Sequence, residues 1–215
     1  MQTELTKVTL RQQLLQQRQA LTPADWQQRS QQICQQVQRS PQFQAAQTVL
    51  AFFAVRQEPD LRWLWQENCD HSQGYPPESY PPESHTPARR FGFPRCQGQS
   101  LVWHLWQPGQ PLVSGRFGIQ EPDPTCPQLC ASEVDLILVP CLAIDAQGYR
   151  LGYGGGFYDR LFSQPDWRSI PAIGICFDFG YCDRLPHDAW DQPLQGVCTE
   201  SQQMTLDSRL RIGSD

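Results

Sequence analysis

Four glycines fall within five positions, Gly152, Gly154, Gly155 and Gly156, with Arg150 just ahead of them and Asp159 just behind. Glycine lacks a Cβ, so its backbone can approach a ligand closely and turn successive N–H groups towards it. If Phe157-Tyr158-Asp159-Arg160-Leu161-Phe162 opens a helix, those N–H groups also lie at its positive end, where anions bind. Arg150 adds a cation, and Asp159 offers hard oxygens to a divalent metal. The chemistry such a cluster performs is the cradling of a polyphosphate. Taken alone, the glycines fit a plain flexible turn equally well. No Lys-Ser/Thr follows the last of them, as a P-loop requires, and the spacing is not G-x-G-x-x-G. Arg150, Asp159 and the apolar run Leu136 to Val139, stopped by Pro140, favour a site. A run without alternation suits a strand buried on both faces, as in a helix-covered parallel sheet.

Other residues suited to chemistry lie far away in the chain. Lys7 and Arg11 are four apart in a stretch, 4–20, that holds no Gly or Pro and reads as a helix, with Arg18 further along. A solvated basic face explains them as well as a ligand does. Glu58 follows the apolar segment 48–55, at the carboxyl end of a strand, where open α/β sheets bind their ligands. A carboxylate there can accept two adjacent N–H donors of a ring side by side, or be an ordinary loop acid. Phe117 is placed to pack on a flat heterocycle or to anchor its loop. His187 invites a general-base role, but no Ser, Cys or His triad accompanies it. The nine cysteines are odd in number and scattered, which suits reduced, buried thiols. Cys126 and Cys130 are not a C-x-x-C pair, and no second pair completes a zinc site.

The elements that must position these residues follow from length and pattern. A chain of 215 residues suits one α/β domain, and a net charge of −5 argues against general binding to nucleic acid or acidic membrane. No apolar run approaches the roughly 20 residues of a membrane span, and the polar start has no secretory apolar region. A cytoplasmic, monomeric protein is expected. Thr22 caps and Pro23 opens a second helix ending near Ser40-Pro41. Strands are expected over 48–55, 91–95, 101–106, 136–144, 172–177 and 196–200, with a short helix over 61–67. Between Cys69 and Arg90 the pentapeptide YPPES occurs twice in tandem among further prolines, and this reads as a disordered insertion. The alternation of helices and strands gives a layered α/β domain around a mostly parallel sheet, with room for an antiparallel edge.

The stretch Val139-Pro140…Ala143-Ile144-Asp145…Gly148-Tyr149-Arg150-Leu151-Gly152-Tyr153-Gly154-Gly155-Gly156-Phe157-Tyr158-Asp159-Arg160 resembles the hallmark of the 5-formyltetrahydrofolate cyclo-ligases, also called 5,10-methenyltetrahydrofolate synthetases. The resemblance extends from Lys7 to Glu200, apart from the proline-rich insertion. It includes Phe117-Gly118-Ile119-Gln120-Glu121-Pro122, which matches the family's Gly-Ile-x-Glu-Pro element. It implies a three-layer Rossmann-like fold and an ATP- and Mg²⁺-dependent ring closure of 5-formyltetrahydrofolate. It assigns Lys7, Arg11, Arg150, Gly152, Gly154, Gly155, Gly156 and Tyr158 to ATP, with packing as the alternative for Tyr158. Arg150 is the catalytic candidate. Phe53, Glu58, Phe117, Tyr153 and Phe157 are implied to shape the folate pocket. Asp159 and Asp191 are implied to hold Mg²⁺, although Gln195 stands where the family often has a further acid. Two other readings use the same residues: an inactive relative recruiting a partner through YPPES, and a sugar-phosphate or CoA-handling enzyme on a similar sheet.

Overall fold

The computed structural model describes residues 6–65 and 89–206. Helix α1 spans Lys7–Gln19, and α2 spans Pro23–Arg39. Each is started by a threonine: Thr6 Oγ1 accepts from Thr9 N at 3.3 Å, and Thr22 Oγ1 from Asp25 N at 3.1 Å. Residues 4–5 of the expected first helix lie outside the described residues. Ser40 ends α2 and caps α3, Pro41–Ala45, by accepting from Phe43 N at 3.0 Å. Strands β1 (Thr48–Leu50), β2 (Arg90–Gln97) and β3 (Ser100–Leu105) follow, then the pair β4 (Leu112–Ser114) and β5 (Gln120–Pro122). Next come β6 (Gln128–Leu129), β7 (Leu136–Pro140), β8 (Ala143–Asp145), β9 (Arg150–Leu151), α4 (Phe157–Phe162) and α5 (Pro165–Arg168). The last elements are β10 (Ala172–Ile175), β11 (Tyr181–Cys182), β12 (Gly196–Cys198) and β13 (Gln203–Thr205).

Eight strands form one sheet in the order β13-β12-β10-β7-β1-β2-β3-β6. The run from β12 to β2 is parallel, and β13, β3 and β6 add antiparallel margins at both edges. Alternate residues of β7 explain the layering. Leu136 and Leu138 pack with Ile33, Val37 and Phe43 of α2 and α3, whereas Ile137 and Val139 pack with Leu161 and Phe162 of α4. The sheet is therefore covered on both faces, which is why its central strand reads as an unbroken apolar run. The expected three-layer α/β class holds. Among the described residues no helix is long and apolar enough to cross a membrane, and the eight cysteines there are free.

Several expected boundaries move. The apolar stretch 136–144 is two strands: Pro140 has no N–H to give, the main ladder ends there, and β8 joins β11 and β9 in a small second sheet. The 48–55 strand keeps its ladder only over Thr48–Leu50; of the expected 61–67 helix, the described residues form a single 3₁₀ turn, Arg62–Leu64, and residues 66–67 lie outside them. Of the expected insertion, residues 69–88 lie outside the described residues, while Arg89 and Arg90 belong to the fold. Arg89 donates to the carbonyls of Ala46 and Phe43, both at 2.9 Å, so its fork serves the open C-terminus of α3, and Arg90 begins β2.

Candidate functional site

Helix α1 lies against the small sheet at the carboxyl end of β7, its Leu10 and Leu14 packed with Leu142, Ala143, Leu151 and Leu185. That contact turns its cations towards the glycine loop rather than towards water. Arg11 Nε donates to the Gly152 carbonyl at 2.8 Å. Lys7 Nζ lies 2.5 Å from both Asp188 Oδ2 and Asp191 Oδ2. Arg18 is buried, its Nε donating to the Arg56 carbonyl at 2.9 Å and its Nη2 to the Tyr153 hydroxyl. The solvated-face alternative for these residues fails.

The loop between β9 and α4 needs its glycines where φ is positive, at Gly154 (+91°) and Gly156 (+65°). A side chain at Gly154 would also press on the Arg11 guanidinium, whose Cζ lies 3.7 Å from an ideal Cβ there. The N–H groups of Gly154, Gly155 and Gly156 have no acceptor among the described residues. One turn on, Asp159 Oδ1 accepts from Arg150 Nη2 at 2.6 Å and from Gln192 N at 3.3 Å, while Arg150 Nη1 donates to the Gln192 carbonyl. Arg150 is thus clamped between Asp159 of α4 and Gln192, and it sits over the ring of Phe162 at 5.6 Å. Tyr158 packs on Trp103 and Phe162, in the core beneath Arg150, and burial raises its phenol pKa. That placement matches the packing alternative for Tyr158.

Asp191 lies on the far side of Gln192. Burial disfavours its charge, but the Lys7 hydrogen bond, the Asp188 N–H and the charges of Lys7 and Arg150 outweigh it, and its carboxyl is held below the usual range. Lys7 is likewise raised: burial works against the ammonium, and Asp188 and Asp191 overcome it. No group of three or more His, Cys, Asp or Glu side chains among the described residues forms a metal cage. Mg²⁺ asks for less, since one or two carboxylates commonly hold it together with substrate phosphates. Asp159 bonds through Oδ1 and Asp191 through Oδ2, which leaves each a second oxygen, so this pair fits such an ion.

Phe53 belongs to an aromatic cluster at the edge of the core. Phe53 stacks on Phe93 at 4.2 Å and meets Trp106 edge-on at 5.2 Å. Glu58 is carried inward by Arg56 and Gln57, both left-handed, with φ of 50° and 57°. Its Oε2 accepts from Val55 N at 3.0 Å, and Tyr153 acts on the same carboxylate electrostatically. Burial raises the Glu58 pKa, opposed by the Val55 N–H, the Arg18 charge, Tyr153 and Arg56. Burial and the Glu58 charge push the Tyr153 phenol up to about 12. Phe117 is 65% exposed with φ of +67°, edge-on to Phe157 at 6.2 Å, so it is no buried loop anchor. His187 is exposed and meets Tyr149 instead of the residues above.

The structure therefore brings together Lys7, Arg11, Arg150, the glycines, Asp159 and Asp191 at one end, and Glu58 and Tyr153 at the other, while Phe53 packs with Phe93, Trp106 and Trp65. Phe117 and Phe157 flank the loop. Sequence reasoning misses Asp188 and Gln192, which no local pattern points at α1 or at Arg150. It leaves Arg18 without a role, although Arg18 is seven residues after Arg11 and so shares its face.

The 5-formyltetrahydrofolate cyclo-ligase family model matches residues 3–200. The 5-formyltetrahydrofolate cyclo-ligase of Escherichia coli K12 is 30% identical over 191 residues, covering 87% of this chain and 96% of its own. The solution structure of Aquifex aeolicus 5,10-methenyltetrahydrofolate synthetase aligns with a TM-score of 0.74 at 27% identity, covering 97% of this chain and 95% of that one. The Mycoplasma pneumoniae 5,10-methenyltetrahydrofolate synthetase aligns with a TM-score of 0.64 at 22% identity over 90% of this chain and 98% of that one, a likeness of fold.

Proposed function

The chain belongs to the 5-formyltetrahydrofolate cyclo-ligase family, and from that premise we propose that it closes 5-formyltetrahydrofolate to 5,10-methenyltetrahydrofolate at the cost of ATP, releasing ADP and phosphate. The observation that carries this reading is the unbroken set of contacts from Lys7 through Asp191 and Gln192 to Arg150 and Asp159, alongside the glycine loop and the buried Glu58. A sugar-phosphate or CoA enzyme has no evident use for a carboxylate buried beside Tyr153.

The difficulty of the reaction is that a formamide oxygen is a poor leaving group. In the proposed course that oxygen attacks the γ-phosphorus, ADP departs, and the oxygen becomes part of a phosphate ester. The folate's own N10 then attacks the formyl carbon and loses its proton. Cleavage of the C–O bond expels phosphate and leaves the methenyl bridge. No protein nucleophile is called for. The protein contributes in-line positioning and cancellation of charge on the moving phosphoryl group. Arg150, held rigidly by Asp159 and the Gln192 carbonyl, presents its remaining donors to that group, and the free N–H groups of Gly154–Gly156 receive phosphate oxygens. Lys7 and Arg11 reach the same loop from α1. Asp159 and Asp191 would hold Mg²⁺, which neutralises phosphate oxygens. Glu58 accepts from adjacent ring N–H groups of the pterin, with Phe53, Tyr153, Phe117 and Phe157 around the heterocycle. Mixing the protein with ATP, Mg²⁺ and 5-formyltetrahydrofolate should produce the ultraviolet absorbance of the methenyl product, and omitting ATP should abolish it. A mixture that stays flat with all three present overturns the reading.

A further inference from the structure

Arg18 carries a guanidinium into the interior at 2% exposure, and the phosphate end of the site makes no use of it. A buried cation is costly unless it is paired and hydrogen-bonded. Its Nε and Nη2 are engaged by the Arg56 carbonyl and the Tyr153 hydroxyl, but its Nη1 is buried without a partner. No carboxylate among the described residues touches it. The charge that answers it is the buried Glu58 carboxylate, on which both Arg18 and Tyr153 act electrostatically, and Tyr153 is the side chain whose hydroxyl accepts from Arg18. Arg18 and Glu58 are therefore buried opposite charges with Tyr153 beside both. The Tyr153 ring is flanked by the Arg18 and Arg56 guanidinium carbons, 5.4 and 5.5 Å from its centroid.

We propose that Arg18 is a positioning residue for Glu58: by holding Tyr153, it keeps the neighbouring carboxylate aimed as a double acceptor for a ring with adjacent N–H donors. This rests on the folate reading above and extends it to a residue that touches neither nucleotide nor reacting atoms. The charged and titratable groups that act on Glu58 are Arg18 from α1, Arg56 from its own loop and Tyr153 from the glycine loop, with Tyr158 and Cys141 also feeling its charge. Burial favours the neutral acid, which has only one oxygen fit to accept in the required way. Arg18 opposes that, so its loss moves Glu58 ionisation to higher pH.

The test compares Arg18→Gln, Arg18→Lys, Tyr153→Phe and the double variant Arg18→Gln/Tyr153→Phe in initial-rate assays, from mildly acid to neutral pH. Arg18→Gln should raise KM for 5-formyltetrahydrofolate about tenfold to a hundredfold, the worth of a hydrogen bond to a charged group, and leave KM for ATP at the parent value. The acid limb of kcat/KM for the folate should shift to higher pH, and Arg18→Lys, which keeps the charge, should restore much of it. The double variant should be no worse than the poorer single one, because the residues act in series. An unmoved acid limb in Arg18→Gln, or additive losses in the double variant, overturns the proposal. Should Arg18→Gln not fold, Tyr153→Phe decides alone: it removes the hydroxyl from an exposed ring, and an unmoved limb there is equally fatal. A parent protein that makes no methenyl product defeats the folate reading itself, whereas an active parent with unshifted variants defeats only the role of Arg18.

Discussion

The two ends of the site hold their charges in opposite ways. At the glycine loop, cations meet carboxylates directly: Lys7 with Asp188 and Asp191, and Arg150 with Asp159. The Lys7–Asp188 pair is open enough to water to be weak, with Asp188 at 45% side-chain exposure, whereas Arg150, at 6%, is held firmly by Asp159. At the heterocycle end, Arg18 and Glu58 are 2% and 3% exposed and make no direct pair, with Tyr153, which accepts from Arg18, acting on both. A weak pair can change partners at little cost, so in the proposed reaction phosphate can take Lys7 while a metal takes the acids. Buried charges cannot be exchanged in that way, because each one stranded in the interior is expensive. One end is built to be rearranged by its ligand, and the other to be ready before the ligand arrives.

The largest expected effect lies at the exchangeable end. Arg150→Ala should lower kcat by about 10²-fold, the scale of losing one preorganised donor to a developing charge. Steady-state rates within a few-fold of the parent would mean that Arg150 is a loop clamp and nothing more. Next is the fixed end. Glu58→Gln keeps the shape and removes the charge, and it should cut kcat/KM for the folate by about tenfold to a hundredfold with KM for ATP unmoved. If both substrates lost affinity equally, the division into two ends would be false.

How far the sequence anticipates these ends depends on what each is made of. The parallel sheet is legible because Leu136 to Val139 is apolar without alternation, and the Thr22 cap is legible because it acts within three residues; the Thr6 cap is not, since Thr6 falls inside the expected helix over 4–20. The exchangeable end is partly legible, since Arg150, the glycines and Asp159 are neighbours in the chain. Its other half is not. Asp188 and Gln192 gain meaning only because α1 and the glycine loop arrive beside them, contacts across 181 and 42 positions. The fixed end is hidden for the same reason: whether Arg18 faces water or Tyr153 is decided by where residues 56 and 153 come to lie. The small sheet of β8, β9 and β11 escapes notice because strands so short show no period.

A smaller effect sharpens the exchange argument. Asp159→Asn removes the charge that pairs Arg150 and is offered to the metal. The Mg²⁺ concentration for half-maximal rate should rise by at least about tenfold, as loss of a group that supports a metal site commonly does. An unchanged Mg²⁺ titration would leave Asp159 as the clamp of Arg150 alone.

The smallest effect tests exchange most directly. Asp188 is the exposed member of the trio around Lys7, and Asp188→Asn should remove one competitor for the ammonium while Asp191 still orients it. Since an exposed pair is worth about 0–1 kcal/mol, ATP affinity should rise by up to about fivefold, read by calorimetric titration. The gain should persist on mild acidification. Asp191 has a carboxyl held below its ordinary value of 3.8, so what it adds to stability is present above that value and is lost only as the pH falls through the lower folded-state pKa. Lys7 consequently stays oriented throughout the mildly acid range. If Asp188→Asn instead weakened ATP binding at neutral pH, Asp188 would be holding Lys7 in its working position, and the direct pairs would be as fixed as the buried charges.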